Sequence, residues 1–474
     1  MKRNPYYLAM LLLVLIGCNK SDLRPLESVH GSKQPMATPT TSRDQLWDVL
    51  GFGYNVTEMY GSNDSHKAKI IDVERLKTDY PTRVGVDQSS SQYLYYQVGE
   101  NARTWSEKMV NTFGGGLDIK VLGLKLFKST ITSTFTNTDA FSSKYQYGTL
   151  NLVIKQKRLN FVADASFLQN YLDPNFAYNI QNLAPAQIVQ FYGTHVLTDV
   201  ILGGKLEFKY QGQSSSSTRE RAATAALAAG IEGIFNVNTG INYNFNDVNT
   251  TFDNSLSYKA YGGDNTVSLL GTIPLGNSLP VINVAPWQAT VTPANSQMID
   301  IGTDGLLPIY LLVADPVRRE ALRNYILQYY ADNEVQITEV PVPVYEYYNA
   351  QTGKHAYSLE APQAFQSKYA PYQYNAQRFK AYAVQVPGTV PVYQFYNRNL
   401  DDRALTTNPS PGWAGYSYDG VNFYASPSQV AGTIPVYEFY HSGVYNHNYS
   451  NHPTETLNWP GWQSAGTPFY AYPN

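Results

Sequence analysis

The sequence predicts an α+β domain followed by an all-β domain of three repeats. Three observations predict this. Helix-period and strand-period stretches are interspersed up to about residue 335. The run Val344-Tyr345-Glu346-Tyr347-Tyr348-Asn349 returns as Val392-Tyr393-Gln394-Phe395-Tyr396-Asn397 and as Val436-Tyr437-Glu438-Phe439-Tyr440-His441. Val-Pro-Val-Pro at 340–343 marks the junction between the two parts. A chain of 474 residues is long enough for both cores. Its net charge of −3 gives no basic field for nucleic acid. Forty tyrosines against 15% charged residues favour β structure and wet aromatic surfaces.

Residues 1–18 read as a targeting segment, with Lys2 and Arg3 ahead of an apolar stretch from Tyr6 to Ile16. That stretch is short of the ~20 apolar residues of a transmembrane helix. Leu15-Ile16-Gly17-Cys18 resembles a bacterial lipobox, which implies cleavage before Cys18 and lipid attachment to it. The alternative is an ordinary signal peptide. Cys18 is the only cysteine, so an internal disulfide framework and a Cys-based zinc site are excluded. Residues 19–42 are rich in Ser, Thr, Pro and Lys and read as a flexible tether. The α+β domain is expected over 43–335.

Within it, Asp44 to Leu50 and Asp164 to Tyr171 read as short helices, and 148–162 as a strand. Gly114-Gly115-Gly116 lacks the following Lys-Ser/Thr of a phosphate loop and reads as a turn, so no cofactor is expected. Leu183 to Tyr192 reads as a helix ended by Gly193, and Val196 to Tyr210 as a strand. Gly203 and Gly204 interrupt that strand, which marks a bend, a bulge or a close backbone approach. His195 has no nucleophile or carboxylate spaced with it, so a structural role is expected and no enzyme activity.

Arg219 to Gly230 is alanine-rich and helix-favouring. Beyond it Ile231, Gly233, Phe235, Val237, Thr239, Ile241, Tyr243 and Phe245 alternate with Glu232, Ile234 and a run of asparagines. Alternation resumes from Val248 to Ala260. Such a pattern suits a half-buried hairpin of a soluble sheet. It also meets what a membrane β-hairpin requires, with lipid on one face and water on the other, in a closed barrel built from many copies, but the pattern alone favours the soluble sheet.

Tyr192-Gly193-Thr194-His195 followed by Gly203-Gly204 resembles the signature of the membrane attack complex/perforin (MACPF) superfamily. Leu50-Gly51-Phe52-Gly53-Tyr54-Asn55-Val56-Thr57, Tyr261-Gly262-Gly263-Asp264 and Asp315-Pro316-Val317-Arg318-Arg319-Glu320-Ala321-Leu322 resemble further family segments, in order, over roughly 46–335. The resemblance implies a bent antiparallel sheet flanked by helix clusters that unfurl into membrane hairpins on homo-oligomerisation. The clusters would be about 117–146 and 213–250. Ile231, Phe235, Val237, Ile241, Tyr243 and Phe245 would face lipid, and Gly203, Gly204, Gly262 and Gly263 would let the sheet straighten.

In residues 336–474 the repeat offsets are 48 and 44 residues, and His355, Arg403 and His447 each lie ten residues after the first Tyr of a copy. Tyr372, Trp413 and Trp462 read as a following aromatic, and Phe379, Phe423 and Phe469 as the centre of a closing strand. Three near-equal units suggest a β-trefoil, and the repeats resemble the PVYxFYN-type repeats of bacterial secreted proteins. The first Tyr of each copy is expected in the core. Tyr357, Tyr416, Tyr449 and Trp459 are the carbohydrate-binding candidates, through ring stacking. His447 and His452 lack a third ligand, so no metal site is expected. These readings combine into a surface lipoprotein, anchored in the outer membrane or secreted, that forms pores in a target membrane. Its partners would be membrane lipid and a surface glycan or protein receptor. The competing reading is a non-lytic, glycan-binding adhesin.

Overall fold

A computed structural model describes residues 46–113, 125–133, 141–214, 218–267, 269–276, 278–337 and 339–474. Cys18, the lipobox and the tether lie outside the described residues, as do parts of 117–146. No helix among the described residues is long and apolar enough to cross a membrane.

Strands β1 (Phe52–Tyr54) and β2 (His66–Lys69) belong to a small four-stranded sheet, and β3 (Val84–Asp87) and β4 (Ser91–Gly99) to a seven-stranded one. The larger sheet is built on two 16-residue antiparallel strands, β5 (Gln146–Phe161) and β7 (Asp199–Ser214). The short β6 (His195–Leu197) lies between them in the chain and joins the small sheet. β8 (Thr251–Tyr261), β9 (Leu270–Pro274) and β10 (Gln297–Ile301) complete the large sheet, and β11 (Leu306–Pro308) completes the small one.

Both long strands change partners at one level. β5 pairs with β4 through residues 147–155, then with β3 through 158–161. β7 pairs with β10 up to Gly203 and with β8 from Lys205 onward. The register between β5 and β7 also slips here, between Lys155 and Lys157. A Cβ on Gly203 would lie 1.9 Å from the Ile154 carbonyl oxygen, so only glycine permits this approach. The interruption read in the sequence is therefore a close backbone contact, opposite a bulge at Gln156 of β5.

Lys205-Leu206-Glu207-Phe208-Lys209-Tyr210-Gln211 alternates along β7 and covers both faces of the sheet. Leu206, Phe208 and Tyr210 join Leu150, Leu152 and Leu256 under an alanine-rich helix, Arg219–Phe235. Lys205, Glu207, Lys209 and Gln211 point the other way and are also buried.

After residue 338 come three antiparallel sheets of three strands: β12 (Val342–Asn349) with β13 (Lys354–Ser358) and β14 (Gln373–Ala381), then β15 (Val390–Asn397) with β16 (Asp402–Thr406) and β17 (Ser417–Ala425), then β18 (Ile434–His441) with β19 (Asn446–Ser450) and β20 (Trp462–Ala471). Each repeat thus places its Val-Tyr run in the central strand. Val344, Val392 and Val436 are fully buried. Phe379, Phe423 and Phe469 meet one another at centroid distances of 5.7, 5.8 and 5.4 Å, one ring from each repeat. The first tyrosines, Tyr345, Tyr393 and Tyr437, are only half-buried; the valine before each takes the core position because the pleat turns successive side chains to opposite faces.

Candidate functional site

Three of the four family-like segments belong to elements that meet at one joint. Gly193 ends the helix Pro185–Tyr192 at φ +72°, where a Cβ would lie 2.5 Å from the Tyr54 carbonyl oxygen. A Cβ on Gly53 would lie 2.0 Å from the Tyr192 carbonyl oxygen. The Thr194 amide donates to the Tyr54 carbonyl at 2.9 Å. His195 is fully buried, bonds Thr194 Oγ1 through Nδ1 at 3.0 Å, and stacks on Tyr330 of the helix Pro316–Asp332. Asp315 caps that helix by accepting from the Arg318 amide. From its far end Tyr329 accepts a 2.9 Å hydrogen bond from Asn55 Nδ2. The segment is a packing joint.

The two glycine pairs meet where β7 changes partners. Gly262 and Gly263 hold φ of +68° and +77°, and a Cβ on Gly262 would lie 2.2 Å from the Gly203 carbonyl oxygen. Trp287 Nε1 donates to the Gly262 carbonyl at 3.0 Å.

The segment expected to form a membrane hairpin has another shape in this structure. The alanine-rich helix runs five residues past Gly230, taking in Ile231 and Phe235, which are buried with Ala223, Ala226, Leu227 and Ile234. Asn236 ends it in the left-handed conformation at φ 50°. Glu232 then gathers the next turn, accepting from the Thr239 amide at 3.2 Å, Thr239 Oγ1 at 2.7 Å and Tyr243 OH at 3.1 Å. The alternation at 231–246 is therefore not a strand in this structure; helix propensity and this folded-back turn prevail over it. Val237 and Ile241 are partly buried against the same core, and Phe245 is 67% exposed at the start of a short helix, Phe245–Asn249. The later alternation does form a strand, β8, with Leu256, Tyr258 and Ala260 toward the helix.

Arg219 fastens the helix at its first turn. Its guanidinium is buried and donates to the carbonyls of Ser143 at 3.0 Å, Lys144 at 2.8 Å and Glu100 at 3.2 Å. Burial draws its pKa down to about 10. On the opposite face of the sheet, Lys209 Nζ donates to the Thr130 carbonyl at 2.8 Å and to Ser133 Oγ at 3.0 Å, holding the short helix Lys128–Thr132. Burial would raise the Glu207 carboxyl, but the Lys209 and Lys205 charges outweigh it and leave it lowered. These buried charges escaped the sequence reading, although the strict alternation of β7 placed them on one face.

In the C-terminal repeats the four carbohydrate candidates divide. Tyr357 and Tyr449 are 3% and 0% exposed and pack edge-to-face at 5.3 Å inside the core. Tyr357 OH donates to Glu346 and Tyr449 OH to Glu438, at 3.2 and 2.9 Å, so neither ring is open to a sugar. Their composition matched that of a binding surface, but the inward register decided their fate. Tyr416 and Trp459 each line a cleft, of ≈ 470 and ≈ 440 Å³ respectively. The repeat register also revises one equivalence. Gln373, Ser417 and Gln463 pair with Tyr348, Tyr396 and Tyr440, so Tyr372, Tyr416 and Trp462 correspond, and Trp413 corresponds to Trp459.

A family model described as MAC/Perforin domain matches residues 45–338. A second, described as a domain of unknown function (DUF5648), matches residues 319–413 and 343–472. Among solved structures, a protein from Bacteroides thetaiotaomicron described by cell invasion and a MAC/Perforin domain is 19% identical over 77% of this chain and 70% of its own, with a TM-score of 0.49. GNIP1Aa from Chromobacterium piscinae is 15% identical over 83% of this chain and 73% of its own, with a TM-score of 0.48. No curated protein matches the sequence.

Proposed function

The chain belongs to the MAC/Perforin domain family, whose model matches residues 45–338, and from that premise we propose that it is a non-enzymatic, pore-forming surface lipoprotein. One observation carries the reading: two segments that hold helices in their described parts are spliced into neighbouring strands at the same end of one sheet. β4 ends at Gly99, paired with Tyr147 of β5, and residues 100–145 lie between the two strands. β7 ends at Ser214, paired with Thr251 of β8, and residues 215–250 lie between those. Tyr147 in turn pairs with Gln211, so both insertions leave from that one end. Unfurled, 215–250 supplies roughly 18 residues per arm, against the ~10 that cross a bilayer. Ile231, Phe235, Val237, Ile241, Tyr243 and Phe245 then face lipid. The glycines at 203, 204, 262 and 263 are the place where the sheet straightens. Open strand edges are not tolerated in lipid, so many copies close the barrel.

In the same reading Cys18 carries the lipid anchor at the outer membrane, residues 19–42 tether it, and 43–335 insert. Residues 336–474 close as a β-trefoil that recognises a surface glycan; the threefold Phe cluster supports that arrangement. Release of dye from liposomes of defined lipids, with and without glycans, tests the whole. Leakage supports a pore. Glycan binding without leakage under any lipid condition favours the adhesin.

A further inference from the structure

We infer that the C-terminal region carries two equivalent binding clefts for neutral hexopyranoses, each between adjacent repeats, and that Arg403 fills the third. The inference rests on the recognition role proposed for residues 336–474.

Each cleft has the same floor. Tyr348 lies directly across from His355 in the first repeat, and Tyr440 from His447 in the third, with ring centroids 5.0 and 4.7 Å apart. Each has an aromatic wall from the neighbouring repeat. Trp462 stands 6.1 Å from the His355 ring, with Trp459 beside it in the same cleft. Trp413 and Tyr416 stand 6.0 and 6.2 Å from His447. The outer tryptophans, Trp459 and Trp413, are 48% and 36% exposed.

Both histidines are fixed from behind. His355 Nδ1 meets Glu346 Oε1 at 2.6 Å, and His447 Nδ1 meets Asp402 Oδ2 at 2.6 Å. A carboxylate only accepts, so Nδ1 carries a proton and Nε2 is the ring atom turned away from that carboxylate; at His447 it lies 3.8 Å from Glu438 Oε1. A hydroxyl both donates and accepts, so it suits Nε2 whichever charge the ring carries.

The third position explains the other two. Tyr396 lies across from Arg403, and Tyr372 is the wall. The guanidinium sits over both rings, 4.2 Å from Tyr396 and 5.1 Å from Tyr372, and donates to Tyr372 OH at 2.8 Å. Arg403 thus occupies, with a flat polar group between two aromatic faces, the space that a histidine leaves open in the other copies.

The chemistry common to the two open clefts selects the ligand. Both offer aromatic faces, a histidine Nε2 and further neutral polar groups: Asn375 and Asn446 in one, Tyr440 and Tyr445 in the other. A pyranose presents a C–H face for stacking and hydroxyls at its edge. A quaternary ammonium would need a carboxylate in both. Glu438 supplies one beside His447, but Glu346, below His355, is already bound by His355, Asn375 and Arg378.

The test applies the full chain to a printed glycan array of neutral and sialylated oligosaccharides, with phosphocholine as a further arm. Expected is binding to neutral glycans. Calorimetric titration with the best-bound neutral oligosaccharide gives two sites per chain, one in Trp413→Ala and one in Trp459→Ala. The double variant, with an unchanged melting temperature, binds at least tenfold more weakly. Binding of no neutral glycan, of sialylated glycans or phosphocholine alone, a single site in the parent chain, or full binding by the double variant would each overturn the inference. No membrane is present in this assay, so absence of a pore leaves its result intact, and intact leakage without glycan binding sinks only the clefts.

Discussion

Ile234 and Phe235 are neighbours that separate the stored helix from the inserted strand. Both are buried in the helix, at 0% and 2% exposure, under one apolar cluster. In an extended strand they face opposite ways, Phe235 to lipid and Ile234 to water. Truncating either to alanine removes buried volume from the stored form, at a cost of ~2–5 kcal/mol for isoleucine and ~3–5 kcal/mol for phenylalanine. Only Phe235→Ala also removes apolar surface from the inserted form. With every 1.4 kcal/mol worth a factor of ten, a 3 kcal/mol loss raises the released population on the order of 100-fold. Ile234→Ala should therefore lower the melting temperature and speed dye release from liposomes by tenfold or more. Phe235→Ala should lower the melting temperature as much and yet release dye more slowly than Ile234→Ala. Equal leakage from the two variants, or faster leakage from Phe235→Ala, would refute the assignment of lipid and water faces.

Cys18→Ala should abolish incorporation of labelled palmitate and free the protein from the outer-membrane fraction; unchanged labelling would remove the lipid anchor from the account. Gly262→Ala places a Cβ 2.2 Å from the Gly203 carbonyl oxygen at φ +68° and should cost at least ~1 kcal/mol, read as a lower melting temperature. Burial would raise the Glu346 carboxyl, but the His355 hydrogen bond and the His355 and Arg378 charges hold it at about 2. Because the folded value lies below the ordinary one, this stabilisation is complete above about pH 5 and is lost as pH falls toward 2; the shift is worth ~3 kcal/mol. Glu346→Gln should be less stable at pH 7 and flatter between pH 5 and 2, as followed by circular dichroism.

The joint around Tyr192–His195 was legible because its glycines answer to sterics that any sheet of this shape imposes. Gly193 and Gly53 stand where a side chain would enter a neighbouring backbone. The repeats were legible for a similar reason: one valine and one phenylalanine per copy must converge on a shared core. The hairpin was legible only as a capacity. Ile231 and Phe235 satisfy both a helix of period 3.6 and a strand of period 2, and the alternation cannot say which is populated. Tyr357 and Tyr449 misled because tyrosine serves a core as readily as a surface, and only the cross-strand register separates the two. Arg219 stayed hidden because its partners are backbone carbonyls, which leave no mark in the pattern of charged residues.

The most direct test of the central claim ties the alanine-rich helix to the sheet. A Cβ on Gly230 would lie 3.0 and 3.2 Å from the two methyl carbons of Leu275, just beyond β9. A Gly230→Cys, Leu275→Cys chain, with Cys18 replaced by alanine, offers one disulfide between them and no competing thiol. The account predicts that the oxidised protein binds membranes or glycans as before but releases no dye, and that reduction restores release. Full leakage from protein shown to be cross-linked would mean that 215–250 stays folded in the pore, and would contradict the account.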